Sequence, residues 1–128
     1  MERKVIATAA FLGAVAIILG AFGAHALKAK LSIDHLSSFE TGVKYQMYHA
    51  LLLLFVGTST AISQKARKTI FYLIVLGVAF FSGSIYLLST PEVTGINAKP
   101  IGFITPIGGL LLIVAWIWLF IDFMNKRR

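Results

Sequence analysis

Four apolar runs fill almost all of this 128-residue chain: Val5–Leu27, Tyr45–Ile62, Thr69–Ser89 and Phe103–Phe123. A helix needs ~20 residues to cross the ~30 Å hydrocarbon layer of a bilayer, and each run is about that long. Only short connectors separate them, so no soluble domain can be cut from the remainder. Within hydrocarbon every backbone N–H and C=O must find a partner, which makes helices the spanning structure for runs of this kind. The expected fold is all-α, an integral membrane four-helix bundle in a single domain, with spans at about 5–27, 38–62, 69–90 and 105–124.

Charge sets the expected orientation. Four alternating crossings place the N-terminus, the second connector and the C-terminus on one side. That side carries Arg3, Lys4, Lys65, Arg67, Lys68, Lys126, Arg127 and Arg128, against Lys28, Lys30, Lys44 and Lys99 on the other, eight to four. Short loops rich in Lys and Arg stay in the cytoplasm, so both termini are expected there, or in the matrix if the membrane is an organelle's. The net charge of +7 would suggest nucleic acid in a soluble protein. Here the cations stand at span ends, where they meet lipid headgroups instead, so the expected partners are membrane lipids and not nucleic acid. Trp116 and Trp118 read as interfacial anchors near the inner end of the fourth span. The start Glu2-Arg3-Lys4 with Ala24-His25-Ala26 resembles a signal peptide, but the apolar run is longer than a signal h-region, so it reads as the first span. The chain has no cysteine, which removes disulfides, thiolate metal sites and Cys nucleophiles.

In lipid, helices associate through close packing and interhelical hydrogen bonds. Small residues mark the expected contact stripes: Gly13, Gly20 and Gly23 in the first span, with Ala16, Gly20 and Ala24 four apart; Ala79 and Gly83 in the third; Gly108 and Gly109 in the fourth. Ser37 and Glu40 fit a capping box, which predicts a second helix starting near Ser38, with Glu40 and Lys44 able to pair on one face. Thr105-Pro106 reads as the N-cap and first residue of the fourth helix.

Polar residues inside spans must find partners or line a wet cavity. Aligned by depth, they gather in the outer half: His25, Tyr45, Gln46, His49, Ser82, Ser84, Tyr86 and Thr105. Thr41, Tyr45 and His49 recur every four residues, with Gln46 three before His49, so they share one helical face. That face is expected to point inward, and the Leu51 and Leu54 face to see lipid. The expected site is this outer cluster of His25, Tyr45, Gln46, His49, Ser82, Tyr86 and Thr105. No HxxxH or Glu-x-x-His pattern supports a metal, and no catalytic motif is present, so neither a metal, a catalytic residue nor a resident cofactor is expected. Haem ligation by the two histidines or a quinone head among them is the redox alternative.

Four strings carry a family resemblance. Gly20-Ala21-Phe22-Gly23-Ala24-His25-Ala26-Leu27-Lys28 and Thr41-Gly42-Val43-Lys44-Tyr45-Gln46-Met47-Tyr48-His49-Ala50 resemble the first two signatures of the YgdD-like small integral membrane proteins, domain of unknown function 423. Phe81-Ser82-Gly83-Ser84-Ile85-Tyr86-Leu87-Leu88 and Ile104-Thr105-Pro106-Ile107-Gly108-Gly109 resemble the third and fourth. Phe103 departs from that pattern, standing where a proline or small residue is often found. The resemblance implies four spans in a bacterial cytoplasmic membrane and no established activity. The preferred functional reading is an accessory or interaction protein that binds a membrane-protein partner or a lipid. A small homo-oligomeric transporter or channel is the alternative.

Overall fold

The computed structural model describes residues 1–125; Lys126, Arg127 and Arg128 of the charge argument lie outside them. Five α-helices follow one another: α1 (Glu2–Phe22), α2 (Ile33–Thr58), α3 (Gln64–Leu88), the single-turn α4 (Pro91–Thr94) and α5 (Ile104–Met124). A π turn, Gly23–Leu27, prolongs α1, and a 3-10 turn, Lys99–Ile101, precedes α5. Among the described residues there is no strand. The segments Glu2–Leu27, Gln64–Leu88 and Lys99–Met124 are long and apolar enough to cross a membrane, with mean hydropathies of 2.5, 2.1 and 2.3. The 26-residue α2 is ~39 Å long at 1.5 Å per residue, but Lys44, Gln46 and His49 interrupt its apolar character.

The start of α2 differs from expectation. Ser32 is extended (ψ 163°), and its hydroxyl accepts from the His35 N–H at 3.1 Å, so it caps a helix that begins at Ile33. Ser37 and Glu40 lie inside that helix, and the Ser37 carbonyl accepts the Thr41 hydroxyl at 3.1 Å. The first serine after the preceding turn takes the cap, because its acceptor reaches the orphan amides before Ser37 can. Ser63 repeats the device at α3, accepting from the Ala66 N–H at 3.2 Å. α2 also stops at Thr58, where Ser59 turns extended (ψ 131°), so residues 59–62 are not helical. α5 starts at Ile104 with Phe103 at its N-cap. Thr105 and Pro106 therefore occupy its first turn, where a missing N–H costs nothing. The Thr105 hydroxyl is not spent on capping, because it faces Ser84.

α2 packs between α1 and α3, and α5 packs on α3. Met1, Asn125 and the 59–63 connector share one end, called here the terminal end. The 28–32 and 89–103 connectors form the loop end. The core is centred toward the terminal end, on Val5, Leu53, Val56, Ile70, Ile74 and Ala115, each fully buried. On α1, Gly13 and Gly20 face Ala50 and Val43 of α2, and Gly23 takes the Phe39 ring. Ala16 is buried between them, whereas Ala24 is exposed. Gly109 faces the Phe81 ring, and a Cβ on Gly108 would lie 2.3 Å from the Phe81 nitrogen. Gly83 does not serve packing: a Cβ there would meet nothing within 4 Å, because it and Ala79 lie on the outward side of α3. Its place is taken by Gly77, whose Cβ would lie 2.6 Å from Leu112, and by Gly42 and Gly57 on α2, against Tyr86 and Ile6.

Candidate functional site

Two buried polar side chains on α2 organise the middle of the protein. Gln46, 3% exposed, donates from Nε2 to the Leu12 carbonyl of α1 at 2.9 Å. Its Oε1 accepts the Tyr86 hydroxyl of α3 at 2.6 Å. One side chain therefore ties three helices, and the second contact joins two residues of the expected cluster. Ser82 donates to the Gly42 carbonyl of α2 at 2.7 Å, and the Ser84 and Thr105 hydroxyls bond across α3 and α5.

His49, 4% exposed, is held at both nitrogens. Nδ1 lies 2.8 Å from the Tyr45 carbonyl, and Trp116 Nε1 donates to Nε2 at 3.1 Å. A carbonyl can only accept and an indole N–H can only donate, so the network assigns a neutral imidazole with its proton on Nδ1. Both ring nitrogens thus have partners within the protein. Trp116 is the partner that sequence reasoning did not pair with His49. It stands mid-helix in α5, level with His49. The signal was available: an indole N–H twelve residues into a span must find a partner.

The remaining expected residues take other positions. Tyr45 is 40% exposed, with its ring edge-on to Tyr48 at 5.5 Å and tilted against Phe81 at 5.3 Å. His25 is exposed on the π turn and, among the described residues, makes no hydrogen bond to the others. The ion pairs among the described residues are Met1–Glu2, His35–Glu92 and Arg67–Glu2; Glu40 and Lys44 do not form one.

Among the described residues every buried side-chain polar atom has a partner, so the space beside this network is apolar. A groove of about 410 Å³ opens between α2, α3 and α5, walled by Thr41, Tyr45, Phe81, Leu112 and Ile113 with Gly109 at its back. The His49–Trp116 pair bridges α2 and α5 across it. A shallower apolar furrow continues past Trp116 along Phe55, Leu119, Phe120 and Phe123. Such a lateral groove offers dispersion contacts along its length and few polar contacts.

A second polar node sits at the terminal end, on a residue counted above only as a topological charge. Arg67 is 3% exposed. Its Nε donates to the Val56 carbonyl at 3.0 Å, and its second terminal nitrogen donates to Ser59 at 2.6 Å and Ile62 at 3.4 Å. Its first terminal nitrogen reaches Glu2 at 3.3 Å. The guanidinium fork thus takes up the orphan carbonyls where α2 ends. Asp122 of α5 accepts from the Ser63 hydroxyl at 2.9 Å and ties the fourth long helix to the same end.

The family model described as protein of unknown function (DUF423) matches residues 19–109. The UPF0382 membrane protein SH2409 of Staphylococcus haemolyticus is 44% identical over 103 residues, covering 80% of each chain. The UPF0382 membrane protein YwdK of Bacillus subtilis is 39% identical over 112 residues, 83% of this chain and 87% of its own. A UPF0382 membrane protein of Haemophilus influenzae is 36% identical over 117 residues, 91% and 90%. No solved structure matches. The matched region contains Gln46, His49, Tyr86 and Thr105, and the three bacterial relatives are named as membrane proteins, in keeping with the apolar helices. This chain is a membrane protein that belongs to the DUF423 family.

Proposed function

We propose that the chain is a four-span protein of the bacterial cytoplasmic membrane, with both termini inside, that acts as an accessory protein by holding a lipid chain in the groove between α2, α3 and α5. The single observation that carries the reading is that groove: an apolar channel of about 410 Å³ beside polar residues that are already satisfied by one another. An accessory role needs no catalytic group and accommodates the tightly bonded Gln46 and His49 as architecture. α2 completes the four crossings although it is less apolar, because Gln46 and His49 are buried against α1, α3 and α5 and do not face lipid.

Topology is tested in the cysteine-free background that the chain itself supplies. A membrane-impermeant maleimide added to intact cells should label Val93→Cys at the loop end, and Thr60→Cys only after permeabilisation. Labelling of Thr60→Cys in intact cells would invert or break the four-span arrangement. The groove is tested by extracting the protein in mild detergent and weighing it intact. The native chain should carry one lipid mass, and Gly109→Phe, which fills the groove, should lose it while melting at a similar temperature. A lipid retained equally by Gly109→Phe, or no bound lipid at all, would overturn the reading.

A further inference from the structure

A second cavity lies at the loop end, outside the site just described. It is a cleft of about 410 Å³ lined by His35, Leu88, Pro91, Gly95, Ile96, Asn97, Ala98 and Lys99. The connector that forms it is well folded. Gly95 adopts a left-handed conformation (φ 71°) that closes α4, and Ala98 is buried. The Asn97 carboxamide oxygen accepts the Lys99 N–H at 3.2 Å, which fixes the carboxamide and leaves its NH₂ to spend elsewhere. The α2 side is fixed as well. His35 Nδ1 lies 2.8 Å and 3.0 Å from the two oxygens of Glu92, whose Oε2 also accepts the Ser32 N–H at 3.1 Å. The imidazole hydrogen bond, with the Ser32 amide adding to it, holds the Glu92 carboxyl below the usual carboxylate range. With Nδ1 taken, the His35 ring has one free corner, Nε2, which makes no hydrogen bond among the described residues.

The chemistry of this lining is specific in three respects. Lys99 brings the one fixed charge of the lining, a positive one, and Lys99 and Asn97 carry its side-chain N–H donors. Leu88, Pro91 and Ile96 add apolar walls beside those donors. On the four-span topology proposed above, the 25-residue α3, ~37 Å long against a ~30 Å hydrocarbon layer, brings its loop end to the headgroup layer of the outer leaflet. A monoanionic oxygen ligand attached to an apolar body matches all three.

We propose that the loop-end cleft binds a phosphate diester, the headgroup phosphate of an outer-leaflet phospholipid, with Lys99 and Asn97 as its donors and Leu88, Pro91 and Ile96 against its glycerol end. The site is separate from the α2–α3–α5 groove and does not depend on that groove being filled.

The test uses the full chain in detergent, in the Gly109→Phe background, so that failure of the groove and failure of the cleft read out separately. Dihexanoyl phosphatidylglycerol and inorganic phosphate are titrated in parallel and followed by phosphorus NMR line broadening. The phospholipid should bind saturably. Lys99→Ala should weaken it about tenfold, the size expected for one charge-assisted hydrogen bond. Asn97→Leu should weaken it less, with melting temperature unchanged in both. Binding of the phospholipid but not of free phosphate identifies the lipid headgroup as the source. Binding of both with equal affinity keeps the phosphate site but assigns it to a soluble ester, and overturns the lipid assignment. Absence of saturable binding, or identical affinity in Lys99→Ala, overturns the site altogether.

Discussion

Gly108→Ala should unfold this protein more readily than any other single-methyl addition to its helices. The added Cβ would sit 2.3 Å from the Phe81 nitrogen and 2.7 Å from the Phe80 carbonyl carbon. Both are backbone atoms, so no side-chain rotation can clear the space. α3 and α5 must separate, and with them the Ser84–Thr105 bond and the contact of Gly77 with Leu112. Overpacking a close contact costs on the order of 1–3 kcal/mol, and a backbone clash belongs at the upper end. Gly83→Ala is the matched control. It adds the same methyl to a glycine on the opposite side of α3 where nothing lies within 4 Å, and should change stability by less than about 0.5 kcal/mol. Unfolding of both variants in bicelles by steric trapping provides the comparison. Equal losses would show that α3 and α5 do not meet at Gly108.

Arg67→Met should cost about 3 kcal/mol, and the reason is the carbonyls, not the ion pair. The partner carboxylate, Glu2, is 46% exposed, and an exposed pair contributes little because water screens it. Glu2→Gln should therefore cost far less than Arg67→Met. The Val56, Ser59 and Ile62 carbonyls take their donors from a guanidinium that is 3% exposed, and a buried acceptor stripped of its donor costs roughly 1–3 kcal/mol. Arg67→Lys should recover only part of the loss, since an ammonium cannot present the planar fork that serves separated acceptors. The same unfolding assay ranks the three variants. If Glu2→Gln proves as damaging as Arg67→Met, the role assigned to the α2 carbonyls is wrong.

These two sites show which parts of the protein could be read directly from the sequence. The all-helical character of the chain and the burial of Gln46 and His49 follow from hydropathy and a four-residue period, because both act locally along one helix. The stripe of Gly13, Gly20 and Gly23 was visible for the same reason. Gly83 and Gly77 illustrate the limit. Both are glycines in one apolar helix, and only the rotation of α3 against α5 decides which of them faces Leu112. Ser32 and Ser37 are both credible caps by composition; the turn at 28–32 selects the first. Arg67 was legible as a basic residue at a helix start but not as a cap for a different helix, since its acceptors lie five to eleven residues upstream. Trp116 and His49 are separated by 67 residues, and nothing in either local pattern names the other. The loop-end cleft was missed because its lining comes from the α2 start and an irregular connector, where periodicity carries no information.

Two of the bonds that join the helices have a shared form. Gln46 donates to the main-chain carbonyl of Leu12, and Ser82 to that of Gly42. In each case only the donor's identity matters, because every residue type supplies a carbonyl. Substitution at position 12 leaves the acceptor in place, so an alanine scan of α1 passes over the bond without registering it. Compensating exchanges between the two positions are likewise unnecessary, and correlated variation, which reveals paired side chains such as Tyr86 with Gln46, has nothing to detect. The inheritance of this contact is one-sided: a single glutamine carries it, and α1 is free to drift around the oxygen it offers.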